Sequence, residues 1–61
     1  MLKAPQFMIR YANNKIGRIW DNAALTDEEK NKAIRAIDHA VTNYELGYLT
    51  MDETMKTIAI A

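Results

Sequence analysis

His39 is the only histidine in this sequence and the only side chain whose ordinary pKa lies near neutrality. To act as a general base it needs a nucleophile on one ring nitrogen and an orienting acceptor on the other. Asp38 adjoins it in the chain, but neighbours on a helix point about 100° apart. The residue one turn back is Arg35, a cation. A solvated or half-buried surface histidine is therefore expected, without a catalytic role. The acids cluster at Asp27-Glu28-Glu29 and at Asp52-Glu53, and carboxylates in groups bind hard cations. Their spacing, however, matches no calcium loop. Cysteine is absent, which excludes thiolate metal sites and disulfides. The only glycines, Gly17 and Gly47, are too far apart to cradle a phosphate. The residues predict no enzyme, no cofactor and no metal.

The acids have a structural use instead. Thr26-Asp27-Glu28-Glu29 and Thr50-Met51-Asp52-Glu53 both read as capping boxes, in which a threonine hydroxyl takes an orphan amide and the glutamate reaches back. Gly47, just before the second box, reads as a helix stop. These marks divide the chain into an all-α, three-helix domain, 1–61, with helices near 5–24, 26–46 and 50–60. Short connections make the second and third an antiparallel hairpin. In the first helix Met8, Ala12, Ile16, Ile19 and Ala23 form an apolar stripe at spacings of four and three, widened by Ile9 and Trp20. Pro5 suits its first turn, and Gly17 projects away from the stripe. In the second helix Ile34, Ile37, Val41, Tyr44 and Tyr48 repeat the pattern, with Ala33 and Ala40 beside them. In the third, Met51, Met55 and Ile58 do so, with Leu49 and Met55 as the expected anchors. The rival for 7–20 is a β-hairpin, Phe7 to Tyr11 and Ile16 to Trp20, turning at Asn13-Asn14. It sorts polar from apolar residues less cleanly, because Arg18 shares one face with Phe7, Ile9 and Trp20.

From Ile37 to Ile58 the chain has an apolar helix, then Gly47, Tyr48, Leu49, Thr50, Asp52 and Glu53, then a short helix. This stretch resembles the short bacterial C-terminal module called SHOCT. The family usually has an aromatic residue after the last acid, where this chain has Thr54, and its last residues are richer in lysine and leucine. The resemblance implies an oligomerising or docking module and transfers no functional residue.

A chain of 61 residues makes one domain and buries only about 60% of the surface of its unfolded form. With no covalent staple, such a core gains from self-association, so a homo-oligomer, most simply a homodimer, is expected. No apolar run approaches the roughly 20 residues of a membrane-spanning helix. The first residues lack the pattern of a secretory signal, which makes a cytoplasmic protein the default.

Net charge is zero but unevenly placed. Residues 1–25 carry Lys3, Arg10, Lys15 and Arg18 against Asp21, a net +3. Residues 26–61 carry Lys30, Lys32, Arg35 and Lys56 against seven acids, a net −3. The two halves are expected to attract one another, within a chain or across a dimer. Off the main stripe of the first helix, Phe7 and Tyr11 line up with Asn14 and Arg18, with Arg10 close by. Aromatic residues interleaved with arginine are the composition of a protein-binding patch; the alternative is that Phe7 lies at a frayed helix end and Tyr11 packs under the second or third helix.

The functional expectation is a small non-enzymatic interaction or regulatory protein, of the kind phages and mobile elements carry. It would dock on a protein partner or on itself through Phe7, Arg10, Tyr11, Asn14 and Arg18. The alternative is a nucleic-acid-binding regulator using Lys3, Arg10, Lys15 and Arg18. A DNA-binding helix-turn-helix at the second and third helices is disfavoured. Asp52 and Glu53 would place negative charge where phosphate must approach.

Overall fold

The computed structural model describes residues 2–61. It contains three helices, α1 (Gln6–Asp21), α2 (Asp27–Glu45) and α3 (Met51–Ile60), and no strand among the described residues. The β-hairpin alternative is excluded, since Asn13 and Asn14 lie in the middle of α1. The helical spacing wins there because it puts Met8, Ala12 and Ile19 on one buried side and leaves Arg10 outside, whereas the hairpin would set Arg10 and Lys15 on their face.

Two details of α1 differ from expectation. Pro5 is the cap residue, outside the first turn, with extended backbone (φ −68°, ψ 155°). Its carbonyl accepts the amides of Met8 and Ile9 at 3.0 and 3.2 Å. The helix also stops at Asp21 and not near residue 24. Asn22 leaves the helical region, and its Oδ1 accepts the Ala24 amide at 3.0 Å. This local bond competes with continued helix. Ala23, assigned above to the apolar stripe, is exposed as a result.

Both capping boxes close. The Glu29 amide donates to Thr26 Oγ1 at 3.1 Å, and the Thr26 amide donates to Glu29 Oε1 at 2.9 Å. The matching distances at Thr50 and Glu53 are 3.2 and 3.0 Å. The backbone amide of each threonine, and then its hydroxyl, holds the glutamate pKa below its ordinary value. At the other end of α2, Gly47 has φ 86°. Its amide donates to Tyr44 O at 3.0 Å and that of Tyr48 to Asn43 O at 2.8 Å. This is the Schellman pairing that satisfies the last carbonyls of a helix.

Each connection returns the chain antiparallel, so α1 and α3 both run opposite to α2 and parallel to each other. The three meet in one cluster where Met8, Ile37 and Ile58, one from each helix, are fully buried. Ala4, Ala12 and Ile19 complete it, and Ala40 is also buried. Thr54 was not expected in the core, yet it is fully buried. Its Oγ1 donates to Thr50 O at 2.8 Å, which removes the cost of burying a hydroxyl. The expected anchors Leu49 and Met55 are half-buried, and Met51 is exposed. Tyr48, assigned to the α2 stripe, is 77% exposed because the Gly47 turn carries it off the helix. Trp20 is half-exposed at the end of α1.

Polar ties hold the helix ends. Leu2 N donates to Glu45 O at 2.8 Å and Ala4 N to Glu45 Oε2 at 3.4 Å, strapping the first residues to the end of α2. Lys15 Nζ donates to Ala59 O and Lys30 Nζ to Trp20 O, both at 3.0 Å. Each lysine serves the C-terminal end of a neighbouring helix, where orphan carbonyls and the helix dipole favour a cation.

The two glycines predict opposite effects, since an added Cβ meets nothing within 4 Å at either. Gly17→Ala in the helix interior should raise stability by up to about 1 kcal/mol. Gly47→Ala should lower it by about 1–2 kcal/mol, the cost of a left-handed conformation for an L-residue. Urea unfolding of the two variants checks both signs. A second prediction concerns acid. Because the folded-state pKa values of Glu29 and Glu53 are depressed, their contribution is complete above the ordinary glutamate value of about 4.3. It disappears as pH falls through the lower folded values. Glutamine keeps the capping geometry without titrating, so the Glu29→Gln/Glu53→Gln double variant should show a flatter acid limb in unfolding midpoint against pH.

The candidate interaction face of α1

The inner side of α1 is fixed by Met8, Ala12 and Ile19. Residues on that helix about a quarter-turn or more away are left outside, and these include Phe7, Tyr11, Asn14 and Arg18. Their spacings of four, three and four keep them on one line along α1, about 16 Å from first to last. The structure leaves Phe7 53% and Tyr11 39% exposed, with Arg10, Asn14 and Arg18 exposed as well. The rings are therefore neither core nor loosely frayed: Phe7 lies inside the first turn of a regular helix.

Tyr11, Asn14, Lys15 and Arg18 line a shallow depression of about 250 Å³ floored by Ala59 of α3. The hydrogen bond from Lys15 to Ala59 sets α1 and α3 side by side at an offset of 44 residues. With the two helices parallel, Met51 and Met55 lie within about a turn of the level of Phe7 and Tyr11. Met51 is exposed and Met55 half-buried. The α3 wall of this face was absent from the sequence reading, because it depends on a register between helices that no local pattern records.

The nucleic-acid residues are less well gathered. Lys15 is half-buried and its ammonium is engaged by the Ala59 carbonyl. Lys3 lies in the extended segment before α1 and is exposed. Arg10 and Arg18 are separated by about 80° around the helix axis. His39 is exposed on the outer side of α2, in an open trough with Glu28, Asn31, Lys32 and Arg35. Among the described residues no group of three or more His, Cys, Asp or Glu side chains is placed to hold a metal ion. No helix there is long and apolar enough to cross a membrane.

The surface as a whole is larger than the chain's size requires. It measures 4483 Å², against about 4,000 Å² for a folded monomer of 7.0 kDa. Among the described residues eight large apolar side chains are exposed, Phe7, Tyr11 and Met51 included. Comparison with protein-family models, with curated proteins and with solved structures finds no match to this chain.

Since the Lys15 side chain donates to the last turn of α3, Lys15→Met should loosen that turn selectively. Hydrogen exchange at the α3 C-terminal amides should quicken, while global stability falls by less than about 1 kcal/mol. Equal quickening throughout α1 and α2 would show that the lysine supports the whole domain.

Proposed function

We propose that this chain is a non-enzymatic interaction protein that docks through the outer face of α1. The observation that carries this reading is the exposure of Phe7 and Tyr11 on a regular helix, in line with Asn14 and Arg18 and beside Ala59 of α3. Aromatic rings bring large contact area at little entropic cost. Together with arginine they are the residues enriched where proteins bind proteins. A regular helix also holds them ready, so little ordering entropy is lost on docking. The likeness of residues 37–58 to the SHOCT module points the same way, toward docking or oligomerisation.

Nucleic-acid binding ranks below this. Its footprint would rest on Lys3, Arg10 and Arg18, since Lys15 is already engaged within the chain. Three dispersed cations on a protein of zero net charge are a small electrostatic footprint.

The Phe7→Ala/Tyr11→Ala double variant tests the docking reading. Both rings are more than a third exposed, so the variant should keep its helical circular dichroism and its unfolding midpoint, while losing self-association and any discrete protein retained by the wild-type chain. Retention of both by a folded double variant would overturn the proposal, and so would collapse of the fold. Binding to random duplex DNA that falls steeply with salt and vanishes in Arg10→Ala/Arg18→Ala would favour the lower-ranked reading.

A further inference from the structure

We infer that the connection between α1 and α2 is a hinge with a second, helical state, through which two copies of this chain exchange α1. In that state residues 6–45 form one unbroken helix, and α1 of each copy packs on α2 and α3 of the other. This stands apart from the docking reading of the outer face of α1, which stays exposed in both forms.

The connection reads Asn22-Ala23-Ala24-Leu25-Thr26. Alanine and leucine are the strongest helix formers, yet Ala23, Ala24 and Leu25 all lie outside a helix. Local bonds hold them there. Leu25 N donates to Asn22 O at 3.2 Å, closing a tight turn, and Ala24 N donates to Asn22 Oδ1 at 3.0 Å. The Thr26–Glu29 box then restarts the chain as α2. Intrinsic preference and tertiary structure thus disagree at this connection, a local conflict of the kind that narrows the gap to a competing structure.

An unbroken helix would also keep the two apolar faces in phase. Ile19 and Ile37 are eighteen residues apart, five full turns of an α-helix. Met8 and Ile37 are twenty-nine apart, about eight turns. The buried sides of α1 and α2 therefore fall on a single face, and Ala23, exposed in the closed chain, joins it. A helix about 60 Å long cannot fold back on itself. Its α1 half meets the same surface on an inverted second copy, so the covered face is the one that α1 covers already. Leu2 and Ala4 then bond to Glu45 of the other copy, and Lys15 to Ala59 of the other copy, in place of the same bonds within one chain. No new surface is needed. The added turns also satisfy the last carbonyls of α1, such as Trp20 O, which the closed chain leaves to Lys30 Nζ.

Against exchange stand the Thr26 box, the Asn22 side-chain bond and the burial of Leu25, which is packed against the core in the closed chain. In the unbroken helix Leu25 would point about 120° away from the shared face. These hold a single chain closed, and exchange takes over only when chains are concentrated. Because α1 must leave its own core first, the two forms interconvert slowly.

Refolding from urea at millimolar chain concentration, followed by size-exclusion chromatography, tests this. The expected result is a dimer, more helical by circular dichroism than the monomer, that persists for hours after dilution. Asn22→Ala/Thr26→Ala removes two bonds that hold the turn, once in each of two connections. It should raise the dimer-to-monomer ratio by about tenfold or more. Ala23→Pro should abolish the dimer and leave the monomer folded. Proline suits the second position of a turn, and it favours for Asn22 the extended backbone already present (φ −82°, ψ 101°). Phe7→Ala/Tyr11→Ala should leave the exchanged dimer unchanged, whereas association through the outer face of α1 would vanish with those rings and reverse on dilution. The inference is overturned by a ratio that Asn22→Ala/Thr26→Ala leaves unchanged, by a dimer that Ala23→Pro retains, or by one that dissociates at once on dilution. A dimer lost in Phe7→Ala/Tyr11→Ala overturns it too, and leaves the docking face standing.

Discussion

A helix of ten residues does not persist alone in water, and α3 has ten. The domain exists only because that helix is held at three levels. At its start, the Thr50–Glu53 box removes two orphan amides. In its middle, Thr54 and Ile58 enter the core with no exposed surface. Near its end, Lys15 of α1 takes the Ala59 carbonyl. Without α3, Met8 and Ile37 would lose the side chain that closes over them. The burial of α1 on α2 would then fall short of the backbone entropy it must offset.

This dependence explains why polar bonds, more than apolar bulk, shape the molecule. Among the described residues seven apolar ones are buried, and three of these are alanines with little area to contribute. The helix ends are correspondingly well tied. Glu45 illustrates the economy. Its backbone carbonyl takes the Leu2 amide, and its carboxylate takes that of Ala4, so a single residue fixes the first segment to the end of α2. Two lysines follow the same economy, with Lys15 and Lys30 turned toward helix-terminal carbonyls.

What was legible in the sequence was what local chemistry decides. The two boxes and Gly47 place the starts of α2 and α3 and the end of α2 within a residue, because each device involves residues no more than five apart. The stripe of α1 named Met8, Ala12 and Ile19 correctly for the same reason. Misreadings arose where a non-local or competing bond intervenes. Asn22 ends α1 early through its own side chain, which strands Ala23. Tyr48 keeps the helical count but lies beyond the turn. Thr54 looks like a surface residue until its hydroxyl finds the carbonyl one turn back. At the candidate site, the line from Phe7 to Arg18 was visible as spacing within one helix. Its α3 wall at Ala59 was not.

The two connections, Asn22 to Thr26 and Leu46 to Thr50, are five residues each, and this has a kinetic meaning. Closing such short loops costs little entropy, and a bundle built from neighbouring helices has low contact order, the condition for folding in microseconds to milliseconds. The α2–α3 turn carries its own stop and start signals, so that hairpin can organise before α1 arrives. α1 has no side-chain cap at its start and gains its order by docking. Changes in the hairpin would then act mainly on the rate of folding, and changes along α1 mainly on the rate of opening. The helix that carries the exposed aromatic line is thus also the last to be secured and the first to be released.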